Sequence, residues 1–184
     1  MARPLSLIAI VGSLRQGSYN RAVFAAAGEL VDGDVRLTEA PVTDVPFYNG
    51  DTEAAGDPPA VVALKQAVEE SDALLIFTPE YNGGVPAVTK NAVDWLSRPP
   101  GDSALARATV GVIAATPGRG AAAGAIAHLG DSLARAGRVH DSPLGLASIS
   151  RAIHDGQLVD PEARDRLQDW LAGFVTFVKE PPAG

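Results

Sequence analysis

The sequence predicts a three-layer α/β fold in which helices cover both faces of a doubly wound parallel sheet of five strands. Short apolar runs alternate with helix-like patterns from one end of the 184-residue chain to the other. The runs are apolar at consecutive positions, which is typical of strands buried on both faces. The length and the 46% hydrophobic content are enough for one substantial core, so we expect a single domain over residues 1–184.

The elements follow one another in a regular order along the chain. Strands are predicted at residues 5–11, 35–39, 73–78 and 108–116, with a weaker fifth strand between residues 138 and 147. Helices are predicted over residues 20–31, from residue 59, over 86–96 and 121–136, and from residue 161. Asn20 and Asp160 are the expected caps of the first and last helices, and Pro181-Pro182 is expected to end the last. Residues 41–59 contain four prolines and are expected to form a long loop.

Composition limits the partners of this chain. The formal net charge of -7 disfavours nucleic acid and anionic membranes, because the long-range field repels polyphosphate surfaces. The chain has no cysteine, which excludes thiolate catalysis and disulfides and is consistent with a reducing, cytoplasmic location. No stretch approaches the roughly 20 apolar residues of a membrane-spanning helix. The three histidines show no metal-ligand spacing, so no metal site is expected.

The loop after the first strand has the features of an anion site. It leads directly into a helix, whose N-terminal amides carry a partial positive charge. Ser13, Ser18 and Asn20 supply short polar side chains, and Arg15 supplies a positive charge. An ordinary turn with a helix cap and a solvated arginine is the alternative interpretation. The Gly-Lys-Ser/Thr ending of a nucleoside-triphosphate loop is missing.

The loop after the third strand, residues 78–86, is suited to a flat ring. Pro79 and the Gly83-Gly84 pair allow the main chain to approach a ligand closely, and Tyr81 offers an apolar plane with a polar tip. A rigid turn with a buried tyrosine is the alternative. In a parallel sheet this loop lies beside the loop after the first strand, at the carboxyl ends of the strands.

Both loops resemble the signature stretches of the NADPH-dependent FMN reductase family, which includes chromate, quinone and azo-dye reductases. The resemblance rests on Gly12-Ser13-Leu14-Arg15 with Ser18 and Asn20, on Pro79-Glu80-Tyr81-Asn82 with Pro86, and on Lys90-Asn91, Asp94-Trp95 and Ser97-Arg98-Pro99. It implies a flavodoxin-like fold with strand order 2-1-3-4-5. It also implies bound FMN, which takes a hydride from NAD(P)H and passes it to a small-molecule acceptor such as a quinone, an azo dye, chromate or free flavin.

The resemblance implies three groups of FMN-binding residues and no catalytic side chain. The residues expected at the phosphate are Ser13, Arg15, Ser18 and Asn20, and those expected along the ring are Pro79, Glu80, Tyr81 and Asn82. Tyr19 and Gly83 are also expected to bind the cofactor, and Thr116, Pro117 and Gly118 form a third wall. Many members of the family are dimers or tetramers, so a homodimer or homotetramer is expected. The helix after the third wall is poorer in polar side chains than is common in the family, and His128 lies on it.

Two other functions are compatible with this fold. A flavodoxin-type electron carrier would dock to a protein partner, although a threonine-rich phosphate loop would suit it better than the serine and arginine loop here. A non-catalytic nucleotide-binding or partner-binding module would keep the fold without the reaction. Gly118, Gly120 and Gly124 loosely resemble a dinucleotide fingerprint, but they follow the fourth strand and their spacing is one residue too long.

Overall fold

A parallel sheet forms the centre of the molecule in the computed structural model, which describes residues 3–181. Its strands are β1 (Leu5–Val11), β2 (Val35–Glu39), β3 (Ala73–Thr78), β4 (Thr109–Ala115), β5 (Arg138–Val139) and β6 (Leu144–Leu146). The order is β2-β1-β3-β4-β5, with β6 also paired to β4, and every pair in this sheet is parallel. This order confirms the predicted flavodoxin-like 2-1-3-4-5 arrangement.

The fifth strand is split, which the sequence did not indicate. β5 pairs with the beginning of β4 and β6 pairs with its end, so together they occupy the one position beside β4. Pro143 lies between them and has no N–H to give to a ladder. The indole Nε1 of Trp170 donates to the carbonyl of Ser142 at 2.5 Å, which fixes the interruption against the last helix.

Helices cover both faces of the sheet. They are α1 (Tyr19–Leu30), α2 (Gly50–Ala55), α3 (Pro59–Glu69), α4 (Ala87–Leu96), α5 (Ala104–Arg107), α6 (Ala123–Ser132) and α7 (Pro161–Lys179), with a 3-10 turn at Ile149–Arg151. A small antiparallel hairpin joins β7 (Ile153–His154) to β8 (Gln157–Leu158) before α7 begins. No helix within residues 3–181 has both the length and the apolar character that a membrane crossing requires.

Two hydrophobic clusters lie on opposite faces of the sheet. α1 and α7 bury Val23, Leu171 and Phe174 against one face, where Leu75 and Phe77 of β3 also point. α3, α4, α5 and α6 cover the other face, onto which Leu74 and Ile76 project. Successive residues of β3 therefore point to opposite cores, which explains why the strand is apolar at consecutive positions.

Helix boundaries differ from the expected ones where the local signals are weak. α1 begins one residue earlier than expected and is capped by Ser18, whose hydroxyl accepts from the N–H of Arg21, so Asn20 is not the cap. The long loop contains α2, capped by Asn49, a short helix that the sequence did not reveal. α6 begins at Ala123, two residues late, because Ala121 and Ala122 both adopt positive φ angles. Asp160 caps α7 as predicted, and Pro182 lies outside the described residues.

Candidate flavin site

Three loops meet at the carboxyl edge of the sheet, where β1, β3 and β4 end side by side. We name them by the strand that each follows: the β1 loop (residues 12–18), the β3 loop (residues 79–86) and the β4 loop (residues 116–122). Every expected site residue lies on one of these loops or in the first turn of α1. The topology therefore brings together segments that are about 65 and 100 positions apart in the sequence, as expected for a doubly wound sheet.

The β1 loop presents a row of free main-chain donors. The N–H groups of residues 13–17, and those of Tyr19 and Asn20, donate to no other group within residues 3–181. Free amides that precede and open a helix form an anion-binding arrangement, because the helix dipole adds to their partial charges. The hydroxyls of Ser13 and Ser18 belong to side chains that are almost fully buried, so they are fixed beside these donors.

Arg15 is the cation of this loop. It is exposed and makes no ion pair with any carboxylate in the described part of the chain. Its guanidinium lies over the ring of Tyr19, with 5.4 Å between Cζ and the ring centroid. The loop backbone and Tyr19 thus hold an arginine whose hydrogen-bonding capacity remains available to an anion.

The β1 loop is held against α4 by a close contact at Gly12. The N–H of Gly12 donates to the carbonyl of Phe77 at 2.7 Å, which continues the β1–β3 ladder past the end of the strand. A Cβ at position 12 would collide with the hydroxyl oxygen of Thr89, a fully buried residue of α4. Glycine is therefore required at position 12 while the Thr89 hydroxyl keeps this place, because any side chain would overlap it.

The side chain of Asn20 is bonded to the sheet and not to the loop. Its carboxamide nitrogen donates to the carbonyl of Ala115 at 3.0 Å, and its carboxamide oxygen accepts from the N–H of Ala115 at 3.2 Å. Asn20 is only 1% exposed. This corrects the expectation that its carboxamide faces the phosphate: only its main-chain N–H remains on the β1 loop.

The β3 loop forms a tight two-residue turn. Tyr81 and Gly84 exchange both main-chain hydrogen bonds at 3.0 Å, and Asn82 and Gly83 between them have φ angles of 52° and 76°. Asparagine and glycine at these positions favour this type of turn. Tyr81 is 52% exposed, which contradicts the alternative of a buried tyrosine, and its hydroxyl lies 3.3 Å from that of Ser13. The ring of Tyr81 thus forms an accessible flat surface that reaches from the β3 loop to the β1 loop.

Pro79 and Glu80, which begin the β3 loop, make contacts below its turn. Pro79 is buried, and its carbonyl accepts from the hydroxyl of Thr78 at 3.0 Å. The carboxylate of Glu80 points toward α6, where its Oε2 accepts from the N–H of Ala125 at 3.1 Å. Glu80 therefore directs its side chain at the first turn of α6.

The β4 loop is fixed by the split strand and the turn that follows it. The hydroxyl of Thr116 accepts from the N–H of Gly118 at 3.2 Å, which closes a turn around Pro117. The N–H of Ser148 donates to the carbonyl of Gly118 at 2.8 Å, and that of Ile149 donates to the carbonyl of Thr116 at 3.1 Å. Thr116 is buried, whereas Pro117 and Gly118 are exposed, so these two can line a ligand.

Some residues of the site give no signal in the sequence. Thr89 and Ala115 shape it through contacts with Gly12 and Asn20, yet both look like ordinary helix and strand residues. Ser148, which anchors the β4 loop, follows an unremarkable alanine and has a positive φ of 51°. Within residues 3–181 no group of three or more histidine, aspartate or glutamate side chains could hold a metal.

The residues fit a phosphate ester joined to a flat heterocycle. Among the contacts of residues 3–181, the β1 loop offers amides with no partner, nearly buried serines and a guanidinium without an ion pair, and the exposed ring of Tyr81 stands next to them. The flavodoxin-like topology places this pair of features at the carboxyl edge of the sheet, where such folds bind nucleotides. Fold and site together define a protein of the flavin-nucleotide-binding class.

Comparison with known proteins gives the family. Residues 5–172 match the NADPH-dependent FMN reductase family, and the chain belongs to it. The chain is 36% identical over 183 residues to an NAD(P)H-dependent FMN reductase of Pseudomonas aeruginosa. This alignment covers 97% of this chain and 98% of the relative. It is 34% identical over 185 residues to a quinone reductase of Pseudomonas putida, covering 97% of each.

A solved structure agrees with both relatives. The flavoenzyme NAD(P)H:(acceptor) oxidoreductase FerB of Paracoccus denitrificans superimposes with a TM-score of 0.83 at 32% identity, covering 95% of this chain and 97% of that one. The chain is therefore an oxidoreductase of the FMN reductase family, with FMN as its cofactor and NAD(P)H as its reductant. This favours the reductase over the electron carrier and the non-catalytic module.

Proposed function

We propose that this protein reduces quinones with electrons from NAD(P)H, through FMN held at the carboxyl edge of the sheet. The observation that carries the proposal is the row of free amides on the β1 loop beside Arg15, since no group within residues 3–181 uses them. In this arrangement Ser13, Arg15 and Ser18, with the N–H groups of Tyr19 and Asn20, bind the phosphate of FMN.

The other two loops hold the ring. The main chain of Pro79, Glu80, Asn82 and Gly83 borders one edge of the isoalloxazine, and Tyr81 offers its plane. The exposed turn of Thr116, Pro117 and Gly118 forms the third wall. When bound, FMN supplies the ring nitrogen that accepts a hydride and gives it up again. The protein positions the ring and leaves one face open, so we assign no catalytic side chain.

The quinone acceptor is supported by the relatives. Proteins named quinone reductase match 97% of this chain at 34% identity in Pseudomonas putida and at 31% in Escherichia coli. A 2-hydroxy-1,4-benzoquinone reductase of a Burkholderia species is 32% identical over 96% of this chain. A flat aromatic acceptor also suits an open site with an exposed tyrosine at its border.

The experiment is a steady-state and spectroscopic test of the purified protein loaded with FMN. Under anaerobic conditions NADPH or NADH should bleach the flavin absorption, and a benzoquinone should then restore it. Because both substrates use the same open face in turn, double-reciprocal plots should give parallel lines. Bleaching without restoration by quinone would contradict the acceptor, and intersecting lines would contradict the shared face.

We also propose that two or more copies associate through the face that carries α4. The segment 46–48 is held to this helix by Asn91, whose side chain accepts from the N–H of Tyr48 at 2.8 Å and donates to the carbonyl of Pro46 at 2.9 Å. Phe47 lies between these anchors with 78% of its surface exposed. An aromatic side chain held outward on a rigid segment is typical of an interface anchor.

Two further parts of the proposal concern the setting of the protein. We propose that residues 1–184 form one FMN-binding domain, supported by the single six-stranded sheet that runs through the described chain. We propose the cytoplasm as its location, because the chain lacks cysteine and its reductant is a nicotinamide nucleotide. The net charge of -7 disfavours nucleic acid and membranes as partners, so we propose that its partners are small molecules.

A further inference from the structure

Helix α6, which follows the β4 loop, lacks a side-chain cap from its own N-terminal segment. The residue before it, Ala122, has no side-chain hydrogen bond and a left-handed φ of 57°, and the first turn contains no acidic residue. The N–H of Ala123 is satisfied by Gly120, and that of Ile126 by Ala122. The buried N–H of Ala125 lies between these two, so an unpaired N–H there would cost the free energy of desolvation.

The missing cap comes from a different loop. The Oε2 atom of Glu80 accepts from the N–H of Ala125 at 3.1 Å, across 45 positions of sequence. Glu80 makes no ion pair with any cation in the described chain, which leaves the N-terminus of α6 as its electrostatic partner. A carboxylate at a helix N-terminus both satisfies a donor and interacts favourably with the helix dipole.

The same junction brings two main chains into contact. A Cβ at Gly124 would collide with the carbonyl oxygen of Gly83 and would lie 3.0 Å from the Oε2 of Glu80. The first turn of α6 therefore lies directly on the Tyr81–Gly84 turn. The carboxylate of Glu80 joins the two by a hydrogen bond, and the absence of a side chain at Gly124 allows their main chains to approach this closely. The β3 loop and α6 cannot move independently while both interactions persist.

We propose that Glu80 is a positioning residue that acts on the flavin site through α6. Its carboxylate caps the helix and thereby joins the β3 loop to the helix that follows the β4 loop. The inference rests on the proposed function for its consequence in flavin binding, but the cap itself is a property of the flavin-free protein. Because the junction lies at the ring end of the site, its loss should weaken FMN and riboflavin equally.

The test compares Glu80→Ala and Glu80→Gln, with Glu70→Ala as the matched control. Glutamine keeps an oxygen that can accept from Ala125 but removes the charge. Glu70 is an exposed carboxylate directly after α3, and its only described side-chain partner is Gln66. The first measurement is amide hydrogen exchange at Ala125 in the flavin-free proteins, and the second is the dissociation constant for FMN and for riboflavin.

We expect Glu80→Ala to speed exchange at Ala125 about fivefold or more, the change that corresponds to the loss of one helix cap. It should weaken both flavins by a similar factor of about five, and Glu80→Gln, which keeps the acceptor oxygen but loses the charge, should lie between the wild type and Glu80→Ala in both measurements. Glu70→Ala should change neither. Unaltered exchange at Ala125 in Glu80→Ala, or an effect of Glu80→Gln as large as that of Glu80→Ala, would overturn the inference.

The two proposals fail in different ways. If the wild-type protein binds neither flavin, the proposed function is wrong, while the exchange measurement still decides whether Glu80 caps α6. If Glu80→Ala weakens FMN much more than riboflavin, the side chain acts at the phosphate, and the positioning role through α6 is wrong while flavin binding stands.

Discussion

Asn20 and Ala115 are joined by two hydrogen bonds that connect the first turn of α1 to the last residue of β4. The carboxamide of Asn20 supplies both the donor and the acceptor, so it pairs with the main chain of Ala115 as a neighbouring strand would. Both residues are almost completely buried. This pair fixes the start of α1, and with it the free amides of the β1 loop, relative to the sheet.

Replacement of Asn20 by alanine should destabilise the protein more than it impairs phosphate recognition. It leaves a buried N–H and a buried carbonyl of Ala115 without partners, which should cost about 2 to 4 kcal/mol of unfolding free energy. Urea denaturation measures this cost, and Asn49→Ala, which removes an exposed helix cap, should cost about 1 kcal/mol. A fold-change in FMN affinity far larger than that in riboflavin affinity would instead assign the side chain to the phosphate.

Replacement of Arg15 by alanine should have the opposite pattern. Arg15 forms no ion pair in the described chain, so its loss should leave the unfolding free energy nearly unchanged. It should weaken FMN about tenfold, because a charge-assisted contact with the phosphate is lost, and should leave riboflavin nearly unaffected. Fluorescence titration with both flavins measures the two dissociation constants and thus the loss of affinity for each. Equal losses for the two ligands would refute the phosphate role of Arg15.

The contact between Gly12 and Thr89 can be tested by a compensating pair. Gly12→Ala should cost about 1 to 3 kcal/mol, since the new methyl group overlaps the hydroxyl of Thr89. Thr89→Ala removes that hydroxyl, so the double variant should recover most of the loss. Chemical denaturation of the two single variants and the double variant measures the coupling. Strict additivity would show that the two side chains do not meet.

The stability of the fold should depend in part on the ionisation of Asp72. The hydrogen bonds from Arg3, together with one from the N–H of Ser6, hold the pKa of this carboxyl below its usual value. Because the pKa is lower in the folded state, the ionised group stabilises the protein above the unfolded-state value of about 4. That contribution disappears as the pH falls through the folded-state pKa.

Asp72→Asn should therefore lower the midpoint of urea unfolding at pH 7. The difference from the wild type should shrink as the pH falls below about 4. Asp169→Asn, which alters an exposed carboxylate of α7, is the matched control and should show little difference at either pH. A difference in unfolding midpoint between Asp72→Asn and the wild type that stays constant below about pH 4 would contradict the role of Asp72.

The proposed association of copies depends on Phe47. Phe47→Glu places a charge on the segment that α4 holds outward, and it should convert the oligomer to a smaller species in light scattering coupled to gel filtration. Val62→Glu changes another exposed apolar residue, 48% exposed on α3, and should leave the size unchanged. An unaltered mass for Phe47→Glu would place the interface elsewhere.

Local sequence patterns were sufficient to predict the order of the main strands and helices, four of the strands, and the edge of the sheet at which the expected site residues meet. These features arise from local patterns: buried strands are apolar at consecutive positions, and Asp160 and Pro59 mark helix starts within a few residues. The resemblance of the β1 and β3 loops then indicated the family, because their motifs are contiguous stretches. The split of the fifth strand and the short helix α2 were not predicted, because segments of two to six residues carry too few positions to show a periodic pattern.

The directions of individual side chains could not be predicted from the sequence and became clear only in the folded chain. Asn20 sits in a polar loop motif, yet its carboxamide is bonded to Ala115, 95 positions away. Glu80 lies among the expected ring contacts, yet its carboxylate caps a helix 45 positions later in the chain. In both cases the partner is a main-chain group that every residue carries, so no sequence pattern marks it. Which group a polar side chain reaches depends on how the helices pack on the sheet, and that packing is set by the whole core.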